Sequence, residues 1–184
     1  MRLFVALDLP DAVRQPLAAW RPGVTGARWT PPGHLHLTLR FLGDTSPEGA
    51  EAVMDELARL DARAVPVALG EAVRLPSARR PRVLAVRVAE TSALAALDRR
   101  LRAALDAARV PPSDRPLLPH VTVARFRQPE PAALRRALRA DAPPAAEGLA
   151  TSVSLVESTP GPGGSVYTPR LRVALSETPP AGAG

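Results

Sequence analysis

Residues 34–42 read HLHLTLRFL and residues 120–126 read HVTVARF, and these two stretches decide the expected fold. Polar and apolar residues alternate along both, which is the pattern of a β-strand with one face in the core. Each stretch is followed by a segment with helical spacing. The similarity of the two stretches predicts two related lobes within an α+β domain.

The rest of the chain extends this pattern with further strands and helices. Strands are predicted at 2–8, 65–75, 82–89, 151–156 and 166–175. Helices are predicted at 11–20, after a capping box at 45–48, at 94–105 behind Thr91 or Ser92, and near 134–138. Since no boundary separates the lobes, we expect one two-lobed domain over residues 1–175 and a flexible tail over 176–184.

The composition excludes several classes of protein. The 184 residues are 46% hydrophobic, and no apolar run is long enough for a membrane span. The chain has no cysteine, which excludes disulfides and thiolate sites and fits a cytoplasmic protein. The start, MRLFVALDL, is expected to form a first strand and not a signal peptide. No glycine pattern typical of a nucleotide fold is present.

The net charge of +6 is weak evidence for a nucleic-acid partner. Every basic residue is arginine, and the chain also contains 22 prolines, which indicates a general compositional bias. Only six residues are aromatic, two Trp, one Tyr and three Phe, so an extended base-stacking surface is not expected.

Two of the three histidines begin a His-x-Thr-apolar pattern, at His36 with Thr38 and at His120 with Thr122. Residues i and i+2 of a strand share a face, so each strand presents an imidazole beside a hydroxyl. Two imidazoles can act as general acid and base, and two hydroxyls can hold phosphate oxygens. The pattern predicts in-line attack on a phosphodiester.

Two arginines are candidate phosphate ligands because a guanidinium donates two parallel hydrogen bonds. Arg40 has the parity of His36 on its strand and is expected to reach the cleft rim. Arg125 lies five places after His120 and is expected to face away unless the strand twists or bulges.

Two alternatives to a two-histidine enzyme remain open at this point. His34 shares the predicted face of His36, and with His120 these residues could form a zinc site in a zinc-dependent hydrolase. In the second alternative, a non-catalytic RNA-end binding module, the same residues hold phosphate without turnover.

The residues resemble the 2H phosphoesterases, and within them the RNA 2′,3′-cyclic phosphodiesterases, also called 2′-5′ RNA ligases. RWTPPGHLHLTLRFLGD (28–44) resembles the family's first motif and LLPHVTVARF (117–126) its second. RPRVLAVRV (80–88) and GGSVYTPRLRVAL (163–175) resemble further strands of the family. The resemblance covers nearly the whole chain, although His34 stands where a polar residue other than histidine is more usual.

The resemblance implies a fold, an activity and a set of residue roles. Two lobes with antiparallel sheets and outer helices would enclose a central cleft, and RNA ends with a 2′,3′-cyclic phosphate would be hydrolysed to 2′-phosphates. His36 would be the proton donor and His120 the proton acceptor, with Thr38, Thr122 and Arg125 on the phosphate. No cofactor or metal is implied, 2′-5′ ligation is a related activity, and we expect a monomer without an obligate protein partner.

Overall fold

The computed structural model describes residues 1–111, 116–127, 130–161 and 164–177. Along the chain the strands are β1 (Arg2–Asp8), β2 (Arg28–Trp29), β3 (His36–Asp44), β4 (Val65–Leu75), β5 (Val83–Val88), β6 (His120–Arg125), β7 (Glu147–Ala150), β8 (Ser152–Gly161) and β9 (Gly164–Ala174). The helices are α1 (Asp11–Ala19), α2 (Pro47–Ala58), α3 (Ser92–Ala107) and α4 (Pro131–Ala140). A 3-10 turn covers Pro32–His34.

The strands form one antiparallel sheet in the order β7-β4-β5-β6-β3-β1-β8-β9, and β2 pairs with β6. The two halves of the sheet meet where β3 lies beside β6. Within the described residues these strands pair at one position, Leu37 with Val121. We call this contact the seam, and the halves diverge from it.

The helices cover one face of the sheet, and the hydrophobic core lies between the helices and this face. Leu94, Leu97, Leu101 and Leu105 of α3 are all buried, as the spacing of leucine predicts. Alternate residues of β1, from Leu3 to Leu7, are buried in the same core. Phe4 and Ala6 point to the other face and pack with Val156 and Tyr167. The expected α+β class with outer helices is confirmed.

Several boundaries differ from the sequence-based expectations. The strand expected to begin at His34 begins at His36, because Pro31 and Pro32 lead into the 3-10 turn. The cap of α2 is Ser46 and not Thr45: its hydroxyl accepts a hydrogen bond from the Gly49 backbone N–H at 3.1 Å. Pro47 then occupies the first helical turn, where its missing N–H costs nothing.

Two short strands, β2 and β7, were not expected, since two and four residues carry too little alternation to detect. Of the predicted tail, the structure describes only residues 176 and 177. Ser176 exchanges backbone hydrogen bonds with Ala62 and Ala64, and residues 178–184 lie outside the described residues. None of the described helices is long and apolar enough to cross a membrane.

Candidate active site

The seam brings the two His-x-Thr motifs together. β3 and β6 are antiparallel with Leu37 opposite Val121, so continuing this register places His36 opposite Thr122 and Thr38 opposite His120. All four side chains line one cleft of about 640 Å³ on the face away from the helices. Each half of the sheet therefore supplies one imidazole and one hydroxyl to the same space.

Both catalytic candidates are held in the same way by the backbone. Nδ1 of His36 lies 2.7 Å from the carbonyl oxygen of His34, and Nδ1 of His120 lies 2.6 Å from that of Leu118. A carbonyl only accepts, so each Nδ1 carries the proton, and Nε2 is the nitrogen left for a ligand in the cleft. Nε2 of His36 lies 3.0 Å from the Thr38 hydroxyl.

A β-bulge follows the threonine in both motif strands. On β3, Thr38 and Arg40 pair with consecutive residues of β1, so Leu39 is the extra residue. On β6, Thr122 and Ala124 pair with consecutive residues of β5, so Val123 is the extra residue. A bulge reverses the parity of the residues beyond it.

The bulges decide where the two candidate arginines lie. Arg125 lines the cleft, as the family resemblance implies. Regular alternation along β6 would have placed its side chain on the opposite face. Arg40 lies on the helix side, 3% exposed, in an ion pair with Asp98 of α3, which corrects the expected rim contact. Phe41, one residue later and 54% exposed, turns into the cleft instead.

His36 is the more enclosed of the two histidines. Its ring stacks on Phe4 at 5.0 Å between centroids and meets the edge of Tyr167 at 5.5 Å. Burial lowers the pKa of His36, because a charged imidazole loses hydration there. The His34 carbonyl and the Asp8 carboxylate oppose this by favouring the charged form, while His34 and Arg125 add to the lowering.

On the side away from the seam, each histidine has a charged cross-strand neighbour, and the two neighbours carry opposite charges. Asp8 pairs with His36 in the register of β1 and β3, and Arg87 pairs with His120 in that of β5 and β6. Directly opposite residues of an antiparallel pair project from the same face. Each neighbour also has a counter-ion, since Asp8 meets Arg172 at 3.1 Å and Arg87 meets Glu71 at 3.4 Å.

The cleft has a positive lining. Besides Arg125, the guanidinium-bearing residues Arg2 and Arg28 line it, and among the described lining residues none is Asp or Glu. Sequence reasoning missed Arg28, Asp8 and Tyr167. Nothing in the pattern distinguishes Arg28 from the other arginines, and the pairing of Asp8 with His36 depends on long-range register.

The three histidines do not form a zinc site in the part of the chain described, where no three His, Cys, Asp or Glu side chains lie close enough to hold a metal. His34 lies in the 3-10 turn, and its ring is 4.9 Å from that of Tyr167. Its backbone carbonyl accepts the hydrogen bond from Nδ1 of His36. The ligand set of the zinc alternative is therefore not assembled by this geometry.

Comparison with known proteins places the chain in a family. Residues 7–85 match the family model described as LigT like Phosphoesterase. The chain is 34% identical to a Thermus thermophilus protein named RNA 2′,3′-cyclic phosphodiesterase, over 91% of this chain and 87% of that protein. The chain belongs to the LigT-like phosphoesterase family.

Solved structures of LigT-like phosphoesterases share the fold. The crystal structure of a Thermus thermophilus protein superposes with a TM-score of 0.75 at 33% identity, covering 96% of this chain and 99% of that one. E. coli LigT complexed with 3′-AMP gives a TM-score of 0.73 at 27% identity, covering 96% and 98%. The family model that matches here includes the first His-x-Thr motif and ends before the second.

Proposed function

We propose that this LigT-like phosphoesterase is an RNA 2′,3′-cyclic phosphodiesterase in which His36 and His120 are the general acid and base. The observation that carries the proposal is the pair of His-x-Thr motifs on either side of the seam. In each motif, Nδ1 of the histidine is hydrogen-bonded to the backbone carbonyl two residues earlier. The name of the Thermus thermophilus relative supports the substrate.

The reaction follows from two nitrogens on opposite sides of one phosphate. Water attacks phosphorus in line with the leaving oxygen, so the base and the acid must lie on opposite sides. Nε2 of His120 takes the proton of the water, and Nε2–H of His36 gives its proton to the 3′-oxygen as the P–O3′ bond breaks. The products are a 2′-phosphate and a free 3′-hydroxyl, and proton exchange with solvent restores both rings.

Three further side chains are proposed to hold the phosphate. The hydroxyls of Thr38 and Thr122 donate to the non-bridging oxygens, on which negative charge builds in the transition state. Arg125 donates two parallel hydrogen bonds from the cleft wall. A bound phosphate anion also favours the charged form of His36, which opposes the effect of burial on its pKa.

The carboxylate beside His36 supports this division of roles. An acid must start protonated, and the Asp8 carboxylate beside His36 favours the charged imidazole. Phosphorus NMR of the product tests the orientation, because a 3′-phosphate would mean that the substrate binds the other way round.

The same acid and base would join RNA ends if a 5′-hydroxyl replaced the attacking water, giving a 2′-5′ linkage. We further propose that the enzyme works without metal or cofactor, as a monomer in the cytoplasm. The absence of cysteine fits the compartment.

Incubation of the purified protein with RNA carrying a 2′,3′-cyclic phosphate, in EDTA, tests the main proposal. We expect ring opening to a 2′-phosphate at an unchanged rate, with the His36→Ala/His120→Ala double variant as the control. Loss of activity on chelation that zinc restores would favour a metal hydrolase. Tight binding of the RNA end without turnover would favour the binding module.

A further inference from the structure

A second groove, of about 220 Å³, opens from the catalytic cleft beyond Arg125. Its walls come from β2, the 3-10 turn and the start of β9, and include Trp29, His34 and Val166. Arg28, Arg125 and Tyr167 line both the cleft and the groove, so the two spaces are continuous. The proposed reaction uses only the cleft.

Arg28 and Arg125 lie side by side where the two spaces join. They are direct register partners of β2 and β6, so their side chains leave the same face of the sheet. Two guanidinium groups that project from the same face make this junction positively charged, and a positive surface attracts phosphate groups. Because both side chains are long, two guanidinium groups can serve two neighbouring phosphates.

The position of the Arg28 guanidinium is set by the opposite half of the sheet. A Cβ built on Gly164, the first residue of β9, would lie 2.7 Å from Nη1 and 2.9 Å from Cζ of Arg28. Gly164 also has φ +119°, a conformation that side chains disfavour. The glycine thus admits the guanidinium, and Arg28 spans from β2 to β9 across one end of the cleft.

We propose that this groove binds the next nucleotide of the RNA chain, with Arg28 on the phosphodiester that precedes the terminal cyclic phosphate. The inference rests on the proposed function. A cyclic phosphate closes the 3′ end, so the chain can continue from the terminal nucleotide only through its 5′-phosphodiester. A cationic groove continuous with the cleft is the place for that group.

The rest of the groove suits a nucleoside. Val166 is 49% exposed, and the rings of Trp29 and Tyr167 give apolar surface for a ribose or base. Among its described lining residues there is no carboxylate to repel a phosphate. The enzyme therefore acts on RNA ends of two or more nucleotides in preference to a 2′,3′-cyclic mononucleotide.

The test compares adenosine 2′,3′-cyclic phosphate with the ApA dinucleotide that ends in the same group. The wild-type protein is expected to have a higher kcat/KM for the dinucleotide, by about 10-fold to 100-fold, the usual value of a charge-assisted hydrogen bond. In the Arg28→Met variant, most of this preference for the dinucleotide should be lost. The substitution should also reduce the salt dependence of dinucleotide KM, by a slope of roughly 0.7 for one lost phosphate contact.

A substrate change repeats the test without relying on a variant. A methylphosphonate in place of the internal phosphodiester removes its charge, and wild-type protein should then lose the same preference. In the Arg28→Met variant, replacing the phosphodiester by a methylphosphonate should lower kcat/KM little further, because the variant and the substrate change remove the same interaction. Arg136→Met, on an exposed arginine of α4, is the control with the same change in net charge.

The outcomes separate the two proposals. If wild-type protein opens neither substrate, the proposed function fails. If it opens both with equal kcat/KM, or if the effects of Arg28→Met and the methylphosphonate simply add, the second-nucleotide site is wrong while the proposed function stands.

Discussion

The strands β3 and β6 share the same local structure around their histidines but differ in the residues that follow it. Each has a histidine whose Nδ1 binds the carbonyl two residues earlier, a threonine two residues later and a bulge after the threonine. Beyond the bulge they diverge, because β3 continues with Arg40 and Phe41 whereas β6 continues with Ala124 and Arg125. The shared residues supply the proposed acid and base. The residues beyond the bulge supply a buried ion pair on β3 and a proposed phosphate ligand on β6.

The largest expected effect tests the shared residues. His36→Ala and His120→Ala should each lower kcat by about 10²-fold to 10⁴-fold, the contribution of a positioned general acid or base. His34→Ala should cost far less, since it keeps the backbone carbonyl that orients His36. Single-turnover rates, with circular dichroism to verify folding, measure this. Near-normal turnover in a variant lacking His36 or His120 would contradict the assignment.

The second prediction tests the first residue after the bulge. On β3 this is buried Arg40, paired with Asp98, and on β6 it is the buried Ala124. Asp98→Ala should lower the free energy of unfolding by about 3 kcal/mol, because it removes the carboxylate that faces a buried guanidinium. Glu56→Ala, which breaks the exposed pair with Arg59, should cost less than about 1 kcal/mol. Denaturant unfolding measures both, and equal costs would show that the Asp98 carboxylate does not stabilise the buried Arg40 guanidinium.

The third prediction tests the second residue after the bulge. Arg125→Met should lower kcat/KM by roughly 10-fold to 100-fold through the loss of a bidentate phosphate contact. Arg125→Lys should recover only part, since an ammonium group keeps the charge without the planar fork. Phe41→Ala changes the equivalent residue of β3 and should have a smaller effect. If Phe41→Ala proved the more damaging, the binding role would belong to β3.

The same bulges explain how far the sequence alone could lead. Alternation and leucine spacing predicted the main strands and helices, because burial on one face leaves a local periodic pattern. The repeated motif predicted that His36 and His120 serve one site, and the structure places both side chains in one cleft. Strand parity misplaced Arg40 and Arg125 together, since one extra residue at Leu39 and at Val123 reverses the face, and neither bulge has a local signature. The neighbours Asp8 and Arg28 depend on pairing between distant strands.

The smallest expected effect concerns the carboxylate beside His36, and it distinguishes the general acid from the general base. Asp8→Asn removes an anion that favours the charged imidazole, so it lowers the pKa of His36. The rate of such an enzyme falls on both sides of a pH optimum, along an acidic limb and an alkaline limb. If His36 is the acid, the rate on the alkaline limb is proportional to the protonated fraction of His36 and should fall by roughly threefold to tenfold. The rate below the pH optimum should not change, because His36 is already fully protonated there.

A base role for His36 predicts the reverse pattern for the same variant. The rate on the acidic limb would then rise, because a lower pKa leaves more neutral His36 at low pH, and the alkaline limb would stay constant. Arg172→Gln is the matched control with the opposite sign, since it removes the counter-ion of Asp8 and leaves the carboxylate to raise the pKa of His36. The pH dependence of kcat/KM in both variants therefore assigns the roles: an acidic limb that rises in Asp8→Asn and falls in Arg172→Gln would exchange them.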